Sequence, residues 1–187
     1  AVDLTNRQRQ ILHSTQSIGT PKAESGREAL ARLNPEVRVV PRQSRLEGEE
    51  LDRLVARASI VLDCSDNFAT RHAVKRSCVR HRKPLVAGAA VRFDGQVSVF
   101  DLSDDRNACY HCLFPENAEL EETRCAVMGV FAPITGIIGT VQAAEALKLL
   151  AGAGDTLKGR VLILAALAMQ WRTVQVSIDP ACALSAE

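Results

Sequence analysis

Three groups of side chains in this sequence have types and spacings that suit chemistry. The first centres on Asp66, in Ser-Ile-Val-Leu-Asp-Cys-Ser-Asp-Asn-Phe-Ala-Thr-Arg at residues 59–71. Ile60, Val61 and Leu62 form a short apolar run that reads as a buried parallel strand. Ser65, Asp66 and Asn67 are all good helix N-cap residues, and a helix-like segment follows to about Arg82. A strand thus ends where a helix begins, and in open α/β sheets ligands bind outside the carboxyl ends of strands. Asp66 either holds a ligand there or merely caps the helix. The second group is Asn6, Arg7, Gln8, Arg9 and Gln10, polar donors crowded into one or two turns. It reads as a solvated helix face or as an anion clamp, since guanidinium groups suit bidentate phosphate recognition. The third group is the cysteines. Cys109-Tyr110-His111-Cys112 spaces two thiolates for one tetrahedral zinc ion, which wants four ligands. Cys182, Cys125, His111 and the buried-looking Cys64 and Cys78 are the other candidates, and two ordinary reduced thiols are the plainer reading. Cys125 follows a polar, acidic loop at residues 115–124, which makes it a candidate nucleophile subject to its pKa and exposure.

The elements that would position these groups alternate along the chain. Gly19-Thr20-Pro21 turns into a helix over residues 22–33 with Ala29, Leu30 and Leu33 as its apolar stripe. Asn34-Pro35 ends it. Val37, Val39 and Val40 predict a strand, and residues 46–57 an amphipathic helix with Leu51, Leu54 and Val55 inward. After the Asp66 helix come an apolar strand over residues 84–91 and an alternating one over 96–101. Residues 133–150 predict a core helix, and residues 159–164 and 170–177 closing strands. The basic run Arg80-His81-Arg82-Lys83 suits a solvated helix C-terminus. This order predicts an α/β, Rossmann-like, doubly wound fold with a mostly parallel sheet and an antiparallel extension.

At 187 residues the chain suits one domain. A net charge of +1 with interspersed signs argues for neither a nucleic-acid nor an anionic-membrane partner. The apolar stretch at residues 126–141 is broken by Gly129, Pro133, Gly136 and Gly139, so it predicts a buried helix rather than a membrane span. The polar opening shows no signal-peptide pattern, and six cysteines without one point to thiols, metal ligands or catalysis in a reducing compartment rather than a disulfide framework, so a soluble, cytoplasmic protein is expected. No internal repeat, G-x-G-x-x-G or Walker-type loop occurs.

Taken together, the motifs resemble the ThiF/MoeB/HesA family, bacterial relatives of ubiquitin-activating enzymes. The matching pieces are Asn6-Arg7-Gln8-Arg9-Gln10, Pro21-Lys22, residues 62–67 with Arg71, Gly95-Gln96-Val97, Cys109-Tyr110-His111-Cys112 and Cys125. Gly136-Ile137-Ile138-Gly139-Thr140 follows, with Gln142, Glu145, Ala146 and Lys148. The wording lies closer to the MoeB members than to ThiF. The resemblance implies adenylation of the C-terminal glycine of a ubiquitin-like sulfur-carrier protein, with ATP and Mg2+ consumed and bound and pyrophosphate released. It also implies a homodimer, a carrier ending in Gly-Gly and a possible sulfurtransferase partner. By this resemblance Arg9 and Lys22 offset phosphate charge, and Asn6 positions the nucleotide with Thr5, Arg7 and Gln8 beside it. Asp66, with Asn67, engages the magnesium–phosphate unit, and Cys125 matches a loop cysteine that links covalently to the carrier in some members. Cys109, Cys112 and Cys182 match ligands of a structural zinc, but Ser185 stands where a fourth cysteine is expected.

The family also places a Gly-rich phosphate loop, a first strand–helix unit, an acidic ribose-binding residue and a further arginine ahead of the point where this sequence opens. The expectation is therefore a single adenylation domain over residues 1–187 that is N-terminally incomplete relative to the family. The rival reading is a non-catalytic or truncated relative that binds the carrier without activating it. A nicotinamide-dependent dehydrogenase fits poorly, because no dinucleotide fingerprint is present and Arg9 and Lys22 would have no evident use.

Overall fold

Five strands form one sheet in the order β1-β2-β3-β4-β5, in a computed structural model that describes residues 1–101, 108, 110–113 and 129–179. The strands are β1 (Val61–Asp63), β2 (Leu85–Val91), β3 (Asp94–Phe100), β4 (Arg160–Ala165) and β5 (Gln170–Gln175). The helices are α1 (Lys22–Leu33), α2 (Gly48–Arg57), α3 (Phe68–Arg80), α4 (Tyr110–Leu113) and α5 (Ala132–Ala151). The α/β class is as expected, but the sheet is not mostly parallel. Only β1 and β2 pair in parallel, and β2–β3, β3–β4 and β4–β5 are antiparallel. The reason is connection length: a parallel pair needs a crossover, and α3 supplies one between β1 and β2. By contrast β2 turns into β3 through Arg92 and Phe93 alone, with Val91 opposite Asp94. Arg92 sits at φ 51, in the left-handed region, and is held there from both sides. Its N–H donates to the Gly129 carbonyl at 3.0 Å, and its carbonyl accepts from the Phe131 N–H at 2.8 Å.

Alternation along the strands builds a core on each face of the sheet. Leu85, Ala87 and Phe100 pack with Val55 of α2, Cys78 of α3 and Tyr110 of α4. Val86, Val97, Val99 and Leu164 face the other way, onto Ile134 and Ile138 of α5. Helices α2 and α3 are joined by Asp52, which accepts from the Ser77 hydroxyl at 2.6 Å and pairs with Arg80. These contacts, the Ser77 hydrogen bond first, hold its carboxyl below the ordinary carboxylate range.

Helix α5 differs from the expected buried helix. It has 20 residues, and an 18-residue stretch of it has a mean hydropathy of 1.3, long and apolar enough by length and composition to cross a membrane. In the fold it runs along β2 and β3 and buries one side only: Ile134, Ile138, Gln142, Glu145 and Ala146. Leu147 and Leu150 on the outer side are 67% and 58% exposed. Both buried polar side chains have partners, Gln142 on the strands β1 and β2 and Glu145 nearer in the chain. Glu145 Oε2 accepts from the Leu157 N–H at 2.7 Å and its other oxygen pairs with Lys148 at 2.5 Å.

The chain divides into two compact units, Ala1–Leu46 and Glu47–Glu187, and the sheet belongs wholly to the second. In the first unit α1 forms as expected, but its buried residues are Ser25, Gly26 and Ala29, while Leu30 and Leu33 are exposed. The Leu12 side chain lies over Gly26 there, an approach that only a small residue permits. The strand expected at Val37 to Val40 does not form. Among the described residues no ladder partner reaches it, and Val37 and Val40 stay exposed.

Candidate functional site

The junction between β1 and α3 is tied down by side chains that bond to backbone. Asp63, the last residue of β1, is buried, and its Oδ1 accepts from both the Ser65 N–H at 2.9 Å and the Ser65 hydroxyl at 2.7 Å. This closes an Asx turn directly after the strand. The loop then ends at Asn67, whose side chain accepts from the Thr70 N–H at 2.9 Å and so caps α3. Capping therefore falls to Asn67, and Asp66 is left exposed between two anchored residues. Asp66 makes no hydrogen bond or ion pair among the described residues, so its carboxylate is open to a ligand at the carboxyl end of β1.

Arg71, on the first turn of α3, reaches back over the helix start. Its Nη2 donates to the Ser65 carbonyl and, at 3.1 Å, to the Gly88 carbonyl of β2. The same guanidinium bonds to the Tyr110 side chain, whose pKa burial pushes up while Arg71 acts against that rise. Arg71, Tyr110, Gln96 and Ser98 line a small cavity on this face of the sheet.

On the opposite face Gln142 of α5 clamps the two parallel strands. Its Nε2 donates to the carbonyls of Asp63 at 3.0 Å and Val86 at 3.2 Å, and its Oε1 receives the Cys64 thiol at 3.6 Å. Gly88 makes this approach possible, for a Cβ there would stand 2.2 Å from Gln142 Oε1. Asp63, Arg71, Gly88 and Gln142 acquire these roles only through the fold. Asp63, Arg71 and Gln142 lie in the motifs at residues 62–71 and 136–148 that carry the family resemblance, whereas Gly88 lies in neither.

The first unit gathers most of the expected phosphate-facing residues. A 3-10 turn, Leu4–Asn6, starts from Asp3, whose Oδ1 accepts from the Thr5 N–H at 2.8 Å and the Thr5 hydroxyl at 2.5 Å. Those two bonds, with the Lys22 charge nearby, lower the Asp3 pKa. Asn6 Oδ1 accepts from Arg9, and both side chains are half-buried, whereas Arg7 and Gln8 are exposed. Lys22 opens α1, and the Val2 N–H donates to the Thr20 carbonyl at 2.8 Å, which brings the first turn beside the start of that helix. Thr5, Asn6, Arg9 and Lys22 therefore share one unit, and Asp66 and Asn67 lie on the other.

The cysteines divide differently from the expectation. Cys78 is fully buried, and burial, with the Asp63 charge second, pushes its thiol up to about 12. Cys64 is exposed rather than buried, although partial burial and Asp63 still raise its pKa. Neither has the low pKa of a reactive thiol. Of the expected zinc ligands only Cys112 lies among the described residues; Cys109 and Cys182 fall outside them, as does Cys125. Among the described residues no group of three or more His, Cys, Asp or Glu side chains is placed to hold a metal ion.

The comparison with known proteins agrees with the motifs. A match to the ThiF family spans residues 1–184. The chain belongs to the ThiF family. The molybdopterin-synthase adenylyltransferase of Escherichia coli K12 is 42% identical over 184 residues, covering 97% of this chain and 72% of that protein. The sulfur carrier protein ThiS adenylyltransferase of the same organism is 41% identical over 181 residues, covering 97% and 71%. Among solved structures, E. coli MccB with ATP shares the fold at a TM-score of 0.80 and 19% identity. That superposition takes in 98% of this ThiF-family chain, which spans 56% of the length of MccB.

Proposed function

We propose that the protein is an adenylyltransferase that joins AMP from ATP to the C-terminal glycine of a ubiquitin-like sulfur-carrier protein and releases pyrophosphate. Family membership and the names of its 41–42% identical relatives support the reaction class. The observation that carries the reading onto this chain is Asp66, anchored on both sides and committed to nothing. A carboxylate attacking the α-phosphate brings two anions together, so the chain must supply positive charge at the phosphates. Arg9 provides a planar guanidinium and Lys22 a compact point charge. Asn6 orients Arg9 through their hydrogen bond, and Thr5, Arg7 and Gln8 flank the nucleotide on the same unit. Asp66, backed by Asn67, offers the hard oxygen donor that Mg2+ prefers, and the site fits that ion in donor chemistry. Magnesium, when bound, is the largest local positive charge and draws the phosphates to an acidic residue that would otherwise repel them.

The proposed carrier ends in Gly-Gly, as in the resemblance drawn from the motifs, and a sulfurtransferase partner would deliver a sulfur nucleophile to the acyl-adenylate carbonyl, with AMP as the leaving group. The outer side of α5 supports a homodimer, since an apolar helix that buries one face in its own fold leaves the other for a second copy. The proposed location is the cytoplasm, where ATP is supplied. Attack of the carboxylate on the α-phosphate needs neither a zinc ion nor a thiol nucleophile, and a role for Cys125 would fall after that step.

The test is carrier-dependent ATP–pyrophosphate exchange by the full-length protein with Gly-Gly-ending carriers. Asp66→Ala is expected to cut the exchange rate by about 100-fold or more while leaving the melting temperature unchanged, as for loss of a group that acts on transition-state charge. Exchange that survives in Asp66→Ala removes Asp66 from the mechanism. Carrier binding without any exchange in the unaltered protein overturns the proposal.

A further inference from the structure

We infer that Arg71 is a positioning residue that sets the geometry of Asp66 by fastening the residue before it to the sheet; this rests on the role given to Asp66 above. A guanidinium in the first turn of a helix faces the positive end of the helix dipole, so this is a poor place for Arg71 on electrostatic grounds alone. Its two backbone contacts explain the placement. One nitrogen receives no freedom: it donates at once to the Ser65 carbonyl in the loop and to the Gly88 carbonyl in β2. Ser65 is then held at three points, because its N–H and hydroxyl are already given to Asp63. Asp63 is fixed in turn, its carbonyl taken by Gln142. The next residue, Asp66, makes no side-chain hydrogen bond or ion pair among the described residues, so its direction follows from how Ser65 and Asn67 are held. Remove the Arg71 donors and the loop loses its tie to β2, while the Asp63 turn and the Asn67 cap remain.

The consequence is specific. Asp66 keeps its charge but presents it less well, so magnesium affinity falls beyond whatever stability the lost bonds to Gly88 and Tyr110 take away, and carrier binding is kept. Charge-assisted hydrogen bonds of this kind change an equilibrium by roughly ten- to a hundredfold. Arg71→Met, which keeps length without donors, is expected to raise the Mg2+ concentration for half-maximal exchange by about tenfold or more. Saturating Mg2+ restores most of the rate. Arg71→Lys keeps donors on a shorter stem and falls between the two. Amide hydrogen exchange, which needs no activity, is expected to quicken at residues 64–67 in Arg71→Met and to stay unchanged in β3 and β4. Unaltered magnesium dependence in Arg71→Met overturns the inference, and so does a loss of rate that Mg2+ does not relieve. If the unaltered protein shows no exchange, the functional reading falls, and the amide measurement alone still decides whether Arg71 holds the loop.

Discussion

The two ends of the sheet are built by different means. At one end β1 is only Val61–Asp63, three residues in parallel with β2, yet the loop after it is held by Asp63, Arg71, Asn67 and Gln142. At the other end β4 and β5 pair over all 6 residues of β5, from Arg160↔Gln175 to Ala165↔Gln170. Every residue of β5 is exposed, including Trp171 and Val174. The hairpin rests on its backbone ladder and the junction on side chains. A ladder tolerates almost any side chain, whereas a junction whose ties each end on a named atom does not. The tolerant end suits a surface that can be covered or left bare, and the intolerant end suits a site where one carboxylate must point one way.

Gly88→Ala should expose this contrast most strongly. The new Cβ would lie 2.2 Å from Gln142 Oε1 and 2.3 Å from its Cδ, inside any tolerable contact. The amide must move, and both buried carbonyls it serves, Asp63 and Val86, lose their donor. Overpacking and unsatisfied carbonyls together are expected to cost about 3 kcal/mol, read from the urea unfolding midpoint. Adding Gln142→Ala removes the clashing group, so the double variant should lose less than the sum of the two single losses. Strict additivity would show that the glycine matters for some other reason.

Where the sequence carried strong periodicity, the elements stand as read. Helix α1 has the expected ends, and α5 and the strands β2 to β5 fall within a few residues of them. The failures have physical causes. Val37, Val39 and Val40 have the composition of a strand, but a strand exists only with a partner, and the sequence of one segment does not announce its neighbour. The parallel fraction was overestimated because the reach of a turn such as Arg92-Phe93 depends on one residue tolerating a left-handed φ. At the site, residue types alone left Ser65, Asp66 and Asn67 all as caps, and the hydrogen bond from Thr70 is what singles out Asn67. Gly88 meeting Gln142, and Arg71 meeting Gly88, join segments far apart in sequence and leave no local trace.

Ser65→Ala is a milder probe of the junction. It removes the hydroxyl bond to Asp63 and keeps the backbone one, so one of the two supports of the turn remains. The expected loss is about 1 kcal/mol in the same unfolding measurement. A loss as large as that of Gly88→Ala would mean that the turn, rather than the Gln142 clamp, is what secures this end of the sheet.

The smallest effect is expected at the hairpin. Trp171→Thr replaces the largest side chain on β5 with another good strand former, at a position 41% exposed and outside both core clusters. The ladder bonds from Leu164↔Trp171 outward are made by backbone and do not depend on the side chain. Stability should therefore change by no more than about 0.5 kcal/mol, as for surface positions in general. If the loss instead grows with protein concentration, Trp171 is covered by a second copy, and the bare hairpin is one half of an interface. A large loss that is independent of concentration would mean that the hairpin too depends on its side chains, and the contrast between the two ends of the sheet would fail.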